Sequence, residues 1–319
     1  MIPMTQPARV PDPLPSWNNM TVKEALIGFV ELVTGDSPGG FVPGEERIAV
    51  FDNDGTLCSE MPVLMQFAFI AERVRALLPE YPEWKDKSPF KEILCGDMHG
   101  ALSSGRGGIS GVLAATYTGM TTVQFEHEVT RWMNTARHPV TGRLYTEMVY
   151  QPMLELLAYL RKNLFKIFIV SASGIDFMRP WTQGVYGIPP EQVIGSSIRL
   201  KYEVHDEVPV LIRLPNVEIF DEGEEKPVAI HHFIGRRPIL VFGDSDGDLQ
   251  MLQWGASGSG PRFAGLIHHT GTEWECVHEA NNSDLPDGKH GRVLSEAYAR
   301  GWTVVDMKRD WRTIFPFET

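Results

Sequence analysis

Basic residues are in short supply in this sequence, cysteine is nearly absent, and no apolar run is long. Among 319 residues, 29 Lys and Arg stand against 41 Asp and Glu, a net charge of −12. Nucleic acid and anionic membrane both need a basic patch to neutralise their phosphates, so neither is expected as a partner. A small anion held by a local group of donors is not excluded. The three cysteines, Cys58, Cys95 and Cys276, have no metal-ligand spacing and cannot form a disulfide framework, though a single bridge stays open. No apolar stretch approaches the length of a membrane span. The opening MIPMTQPARVPDPLPSW lacks the apolar centre of a signal peptide and reads as a Pro-rich extended arm over residues 1–20. As written, the chain is expected to be cytoplasmic; with a leader removed ahead of residue 1 it would be periplasmic or exported.

Apolar residues make up 43% of the chain and charged residues 22%, which is ordinary for a globular protein with a sizeable core. Apolar spacing predicts a helix over MTVKEALIGFVELVT, with Thr21 as its N-cap. A short strand, about Arg47 to Phe51, follows. From there to about Tyr150 only helical patterns and Gly-rich connections occur. MPVLMQFAFIAERVRALL is one amphipathic helix. TTVQFEHEVTRWMNTA is another, with Val123, Phe125, Val129, Trp132 and Met133 on one side. Between them lies the loop SSGRGGISG, whose Arg106 is a possible substrate contact. It lacks the Gly-Lys-Ser/Thr ending of a phosphate loop.

Alternation resumes with a helix, PMLELLAYLRKN, carrying Pro in its first turn. Strands are predicted at Lys166 to Val170, Val193 to Gly195, Pro238 to Phe242, Ala264 to His269 and Trp302 to Met307. RLKYEVHDEVPVLIRL reads as an antiparallel hairpin added to them. Apolar strands separated by helices imply a parallel sheet covered on both faces. The expected architecture is α/β: a Rossmann-like three-layer core over 21–59 and 151–319, with a mostly helical cap, 60–150, inserted after the first core strand.

Ligands of open α/β sheets bind at the carboxyl ends of the strands. The first strand ends in Asp52-Asn53-Asp54-Gly55-Thr56, the second in SASGIDF from Ser171, and the fourth in GDSDGD from Gly243. Asp52, Asp54, Asp244 and Asp248 are too many carboxylates for one pocket unless a divalent cation joins them, and an all-oxygen donor set suits Mg²⁺. A carboxylate can then attack phosphorus, with Ser171 and Lys226 donating to the phosphoryl oxygens and a second acid handling the proton. Arg236 or Arg237 could stand in for Lys226. A calcium loop at DSDGDLQMLQWG is rejected, because its sixth position is Leu249 and its twelfth Gly255. His268 and His269 point to opposite faces of a strand and cannot easily share one ion; ordinary packing is the expectation for them, the alternative being that one lines the pocket.

FDNDGTL, IVSASG, Lys226 and FGDSDGDLQML, in that order, resemble the four motifs of the haloacid dehalogenase-like (HAD) hydrolases, over roughly Arg47 to Leu252. The helical insert resembles that family's first-type cap. IVSASGIDF is most similar to the phosphoserine phosphatase-like and acid phosphatase-like branch. The resemblance implies a Mg²⁺-dependent phosphomonoester hydrolase with a small phosphorylated substrate and an aspartyl-phosphate intermediate. It makes Asp52 the nucleophile and Asp54 the acid/base. Ser171, Lys226 and the backbone N–H groups of Ala172 and Ser173 become the phosphate binders. Asp52, the Asp54 carbonyl, Asp244 and Asp248 become the metal ligands. Two departures stand out. Asp246 adds an acid to the last motif, leaving the metal pair open. Met61 sits where serine-specific relatives have Glu, with Glu60 one position early. The same residues would also serve a phosphotransferase, or a non-catalytic protein that binds a phosphorylated ligand.

Overall fold

The computed structural model describes residues 11–36, 38–97, 100–101, 111–112, 115–270 and 291–318. Arg106, the loop around it and Cys276 lie outside these residues.

Seven strands form one sheet. In chain order the elements are α1 (Thr21–Thr34), β1 (Ile48–Phe51), α2 (Met65–Leu77), α3 (Phe90–Cys95), α4 (Thr122–Met133), α5 (Gln151–Lys162), β2 (Lys166–Gly174), α6 (Ile175–Tyr186), β3 (Val193–His205), β4 (Val208–Ile219), α7 (Glu225–Ile234), β5 (Leu240–Gly243), α8 (Leu249–Ala256), β6 (Phe263–His268), α9 (Gly291–Arg300), β7 (Thr303–Asp306) and α10 (Met307–Asp310). The strand order is β4-β3-β2-β1-β5-β6-β7. All pairings are parallel except β3 with β4.

Strand side chains alternate between faces, and two cores result. Ala49 and Phe51 of β1 face one core with Leu240 and Phe242 of β5; Ile48, Val50 and Val241 face the other. The first core takes Leu26, Phe29 and Val30 of α1 and Met153, Leu156 and Leu160 of α5. The second takes Ile230 of α7, Met251 and Leu252 of α8, and Val293 and Ala297 of α9. Helices thus cover both faces, which is why the central strands read as continuous apolar runs.

Between β1 and α5 the described residues include the helices α2, α3 and α4. Phe69 of α2 stacks on Tyr117 and meets Phe125 and Trp132 of α4. It also packs on Phe177 of α6, which joins α2 to the helix that follows β2. Thr121 caps α4 with a capping box to Gln124. Among the described residues, no helix is long and apolar enough to cross a membrane.

Four details differ from expectation. Met20, not Thr21, is the N-cap of α1, and no side chain caps it. Val123 is 72% exposed, while Phe125, Val129, Trp132 and Met133 are buried. Residues two apart on a helix stand about 200° apart, so Val123 and Phe125 oppose each other. The short third strand and the hairpin are continuous: β3 leaves the buried core after Gly195 and runs on to His205 before turning into β4. Finally, residues near Trp17 do not stand free as an arm. Leu14 and Trp17 are buried, and the Trp17 indole donates to the Pro152 carbonyl at 2.9 Å.

Candidate active site

The chain leaves β1 for β2 and β3 on one side, then returns to β5 on the other. This is a topological switch point, where strand ends leave a crevice. The loops after β2, β1 and β5 are neighbours there, and they carry the acids and hydroxyls read from the sequence.

The first loop winds around one carbonyl. Asn53 O accepts from the N–H groups of Thr56, Leu57 and Cys58. Gly55 takes φ +79°, and a Cβ there would meet Asp244 Oδ2 at 2.3 Å. Only glycine fits both the backbone angle and this close approach. Thr56 Oγ1 donates to Asp244 Oδ1 at 3.1 Å, tying the β1 loop to the β5 loop.

Buried Lys226, from the first turn of α7, donates to Asp52 Oδ1 at 2.9 Å and to Asp248 Oδ1 at 2.5 Å. Asp248 Oδ2 accepts from the N–H groups of Asp244 and Ser245. Carboxylate oxygens of Asp52, Asp244 and Asp248 lie within 4.8 Å of one another, all buried. Three acids face one ammonium, so burial in low dielectric opposes full ionisation. Burial pushes the Asp52 carboxyl up to about 8, against the pull of Lys226 and with the push of Asp248 and Asp54. Burial likewise raises Asp244, helped by Glu60, Asp248 and Asp52. Burial alone would lower Lys226; Asp248 and Asp52 overcome it and raise it, keeping the ammonium charged. This excess of buried negative charge, presented only by oxygen donors, fits a hard divalent cation such as Mg²⁺.

Asp54 points elsewhere, toward the C-terminal end of β2. Ser173 Oγ donates to its Oδ2 at 2.6 Å and Asn53 Nδ2 to its Oδ1 at 3.2 Å. Tyr186 of α6 orients Asn53 through a 3.1 Å bond. Burial raises the Asp54 carboxyl above the usual range, with Glu60 adding and Ser173 opposing. A carboxyl so shifted is a better proton donor near neutral pH.

Opposite β3 the end of β2 bulges: Ser171 pairs with Gly195 and Gly174 with Ser196. Ala172 and Ser173 are therefore pushed out of the ladder. Ser171 Oγ accepts from the Ser173 N–H at 3.2 Å, which leaves the Ser171 hydroxyl hydrogen free to donate. That Ser173 N–H is engaged differs from the sequence reading. Gln66 of α2 accepts from the Gly174 N–H at 2.7 Å, so α2 touches the end of β2 directly.

Asp246 turns away from the cluster and accepts from the Val293 N–H at the start of α9, at 2.7 Å. Arg236 and Arg237 precede β5 and lie at the far edge of the sheet from Asp244. His269 lies against the site: its Nε2 donates to the Gly55 carbonyl at 2.9 Å and stands 3.8 Å from Asp244 Oδ2. Sequence reasoning missed Thr56, Gln66, the Ser173 hydroxyl and Asp221. Asp221 is fully buried, and among the described residues neither carboxylate oxygen has a hydrogen-bond partner. Burial pushes its carboxyl up to about 7, with Lys226 pulling the other way. It also missed Arg213 of β4, which pairs with Asp176 at the start of α6 and lies over the Phe125 ring, 3.7 Å from its centroid.

The family model of the haloacid dehalogenase-like hydrolases matches residues 49–253. This chain belongs to that family. A comparison with curated proteins finds no match. Among solved structures, a conserved functionally unknown protein from Anaerococcus prevotii DSM 20548 is 17% identical, with TM-score 0.51, covering 79% of this chain and 86% of its own. A protein of unknown function from Bordetella pertussis Tohama I is 17% identical, with TM-score 0.46 and coverage of 82% and 99%. A phosphoserine phosphohydrolase-like protein from Francisella tularensis subsp. tularensis SCHU S4 is 17% identical, with TM-score 0.41 and coverage of 69% and 87%. The first of these likenesses supports the fold and nothing narrower.

Proposed function

We propose that this protein is a Mg²⁺-dependent phosphomonoester hydrolase that acts on a small phosphorylated metabolite through an aspartyl-phosphate on Asp52. The observation that carries this reading is the state of Asp52. Lys226 holds its Oδ1 at 2.9 Å, and no described hydrogen bond occupies its Oδ2. It stands at the switch point beside a second carboxyl, Asp54, bound to a different strand.

In the first step Asp52 Oδ2 attacks phosphorus and the ester P–O bond breaks. Asp54 gives its proton to the leaving oxygen. In the second step Asp54 takes a proton from water, which attacks the phosphoryl group and returns Asp52 to its carboxylate form. The Ser171 hydroxyl, the Ala172 N–H and the Lys226 ammonium donate to the phosphoryl oxygens. Asp52, Asp244 and the Asp54 carbonyl would hold Mg²⁺, with Asp248 fixing Lys226 and the β5 loop. Bound there, Mg²⁺ would offset the repulsion between a carboxylate nucleophile and an anionic phosphate. The insert, 60–150, acts as a cap on the core formed by 21–59 and 151–319 and selects the leaving group. The Gln66 contact with the end of β2 supports that role.

Phosphate release from a panel of phosphomonoesters, with Mg²⁺ and with EDTA, tests the reading. The panel includes p-nitrophenyl phosphate, phosphoserine, phosphocholine, nucleotides and sugar phosphates. Metal-dependent release is expected. Silence from folded protein across the whole panel overturns it.

A further inference from the structure

A cavity of about 320 Å³ opens at the end of the sheet opposite Asp52, where β1, β5 and β6 begin. Arg236, Arg237, Arg262 and Glu46 line it, with the loop that contains Ser259 and Gly260. Three guanidinium groups gather here in a chain whose net charge is −12. Glu46 pairs with Arg236 at 3.4 Å. Among the described residues, Arg237 and Arg262 have no acid partner.

Their fixed geometry does not come from charge neutralisation. Arg237 Nη1 donates to the Ser257 carbonyl at 2.8 Å, and its guanidinium lies over the Trp254 ring, 3.5 Å from the centroid. Arg262 donates through Nη1 to the Pro238 carbonyl at 2.8 Å, and through Nε and Nη2 to the Ser259 carbonyl. Neutral carbonyls orient both heads and leave both charges in place. The pair is close enough that Arg237, after burial, lowers the basicity of Arg262. The loop beside them turns through positive φ at Gly258 and Gly260, +126° and +77°. The N–H groups of Ser259 and Gly260 donate to nothing among the described residues. Preset guanidinium groups next to unused backbone amides form a concavity for anions. Two like charges held together favour a ligand that concentrates about two negative charges, as a phosphoryl group does and a single carboxylate does not.

We infer that this cavity binds a small phosphate-bearing anion, with Arg237 and Arg262 as its charged donors, at a site separate from the one proposed for catalysis. The space suits a diphosphate or the phosphate end of a nucleotide. The inference does not depend on the chemistry of Asp52.

Calorimetric titration with inorganic pyrophosphate in EDTA tests it, with inorganic phosphate and ADP as parallel ligands to separate free from organic sources. Pyrophosphate is expected to bind one equivalent in the wild type and equally in Asp52→Asn. Arg237→Gln, which gives up one carbonyl bond, is expected to keep its circular dichroism and phosphate-release rate while binding about tenfold or more weakly, as loss of a charge-assisted contact predicts. Arg262→Gln is expected to do the same where it folds; Arg237→Gln decides the matter where it does not. Pyrophosphate should also change the emission of the wild type but not of Trp254→Phe. Wild-type affinity in Arg237→Gln overturns the site. So does binding that survives Arg237→Gln but is lost in Lys226→Met, and so does no binding by the wild type.

Discussion

Lys226 and Asp52 lie 174 residues apart in sequence and meet as a buried ion pair at 2.9 Å. The ammonium fixes which oxygen of Asp52 is occupied and which faces the crevice. Asp52→Asn should therefore release no phosphate above background while keeping its fold; substantial turnover by a pure sample removes Asp52 as nucleophile. Lys226→Met strands two buried acids without their cation. Breaking a buried pair in this way costs about 3–5 kcal/mol, which urea unfolding would measure.

Asp54 is bonded to Ser173, not to the acidic cluster. Asp54→Asn should bind phosphate yet stop hydrolysis, and rapid quench with intact-mass analysis should find at most a stalled phosphoryl-enzyme. Ser173→Ala removes a hydrogen bond that holds the Asp54 carboxyl down. The limb of the pH–rate profile that reports Asp54 should then move to higher pH. An unmoved profile disconnects the two residues.

Asp246 binds a backbone N–H of α9, whereas Asp244 belongs to the cluster. Asn at position 246 can still accept that bond, so Asp246→Asn should leave the Mg²⁺ concentration for half-activation within about threefold. Asp244→Asn removes a charged oxygen donor and should raise it about tenfold or more. A reversal of this order in Mg²⁺ titrations would make Asp246 the ligand.

Without metal, the Asp52 carboxyl sits at about 8 and that of Asp221 at about 7, both above their unfolded values near 3.8. Groups raised on folding add stability at low pH and lose it as pH climbs through the folded value. In EDTA the melting temperature should fall between about pH 5 and pH 8, short of any acid unfolding from other groups. Mg²⁺ should raise it more at pH 8 than at pH 6, because at pH 6 it must first displace protons. Calorimetry across that range with and without Mg²⁺ checks the sign.

The acids at the strand ends were legible because each follows an apolar strand directly, a local pattern. Lys226 was less so: in the acidic run DEGEEKP its sequence neighbours suggest a solvated charge, and only the fold buries it between Asp52 and Asp248. Gln66, Arg213 and Asp221 carry no local signal at all. Their partners lie on other elements, and nothing in the surrounding residues announces them. The long β3 was hidden for a different reason. Its first residues are buried on both faces and its last are half exposed, so the apolar pattern changes period midway. Val123 shows the reverse: an apolar residue placed on the same side as Phe125, although its angle on α4 points it to water.

The strand that carries Asp52 is four residues long, and both of its neighbours come from far downstream, with Ile48 facing Lys166 and Ala49 facing Leu240. During synthesis β1 therefore stays unpaired while everything up to β2 is made. Closing such distant pairs costs chain entropy before any contact rewards it, which slows assembly. A chain interrupted ahead of β5 has neither Lys226 held between two acids nor Asp244 beside Gly55. The cluster of acids therefore closes only once β5 has joined β1.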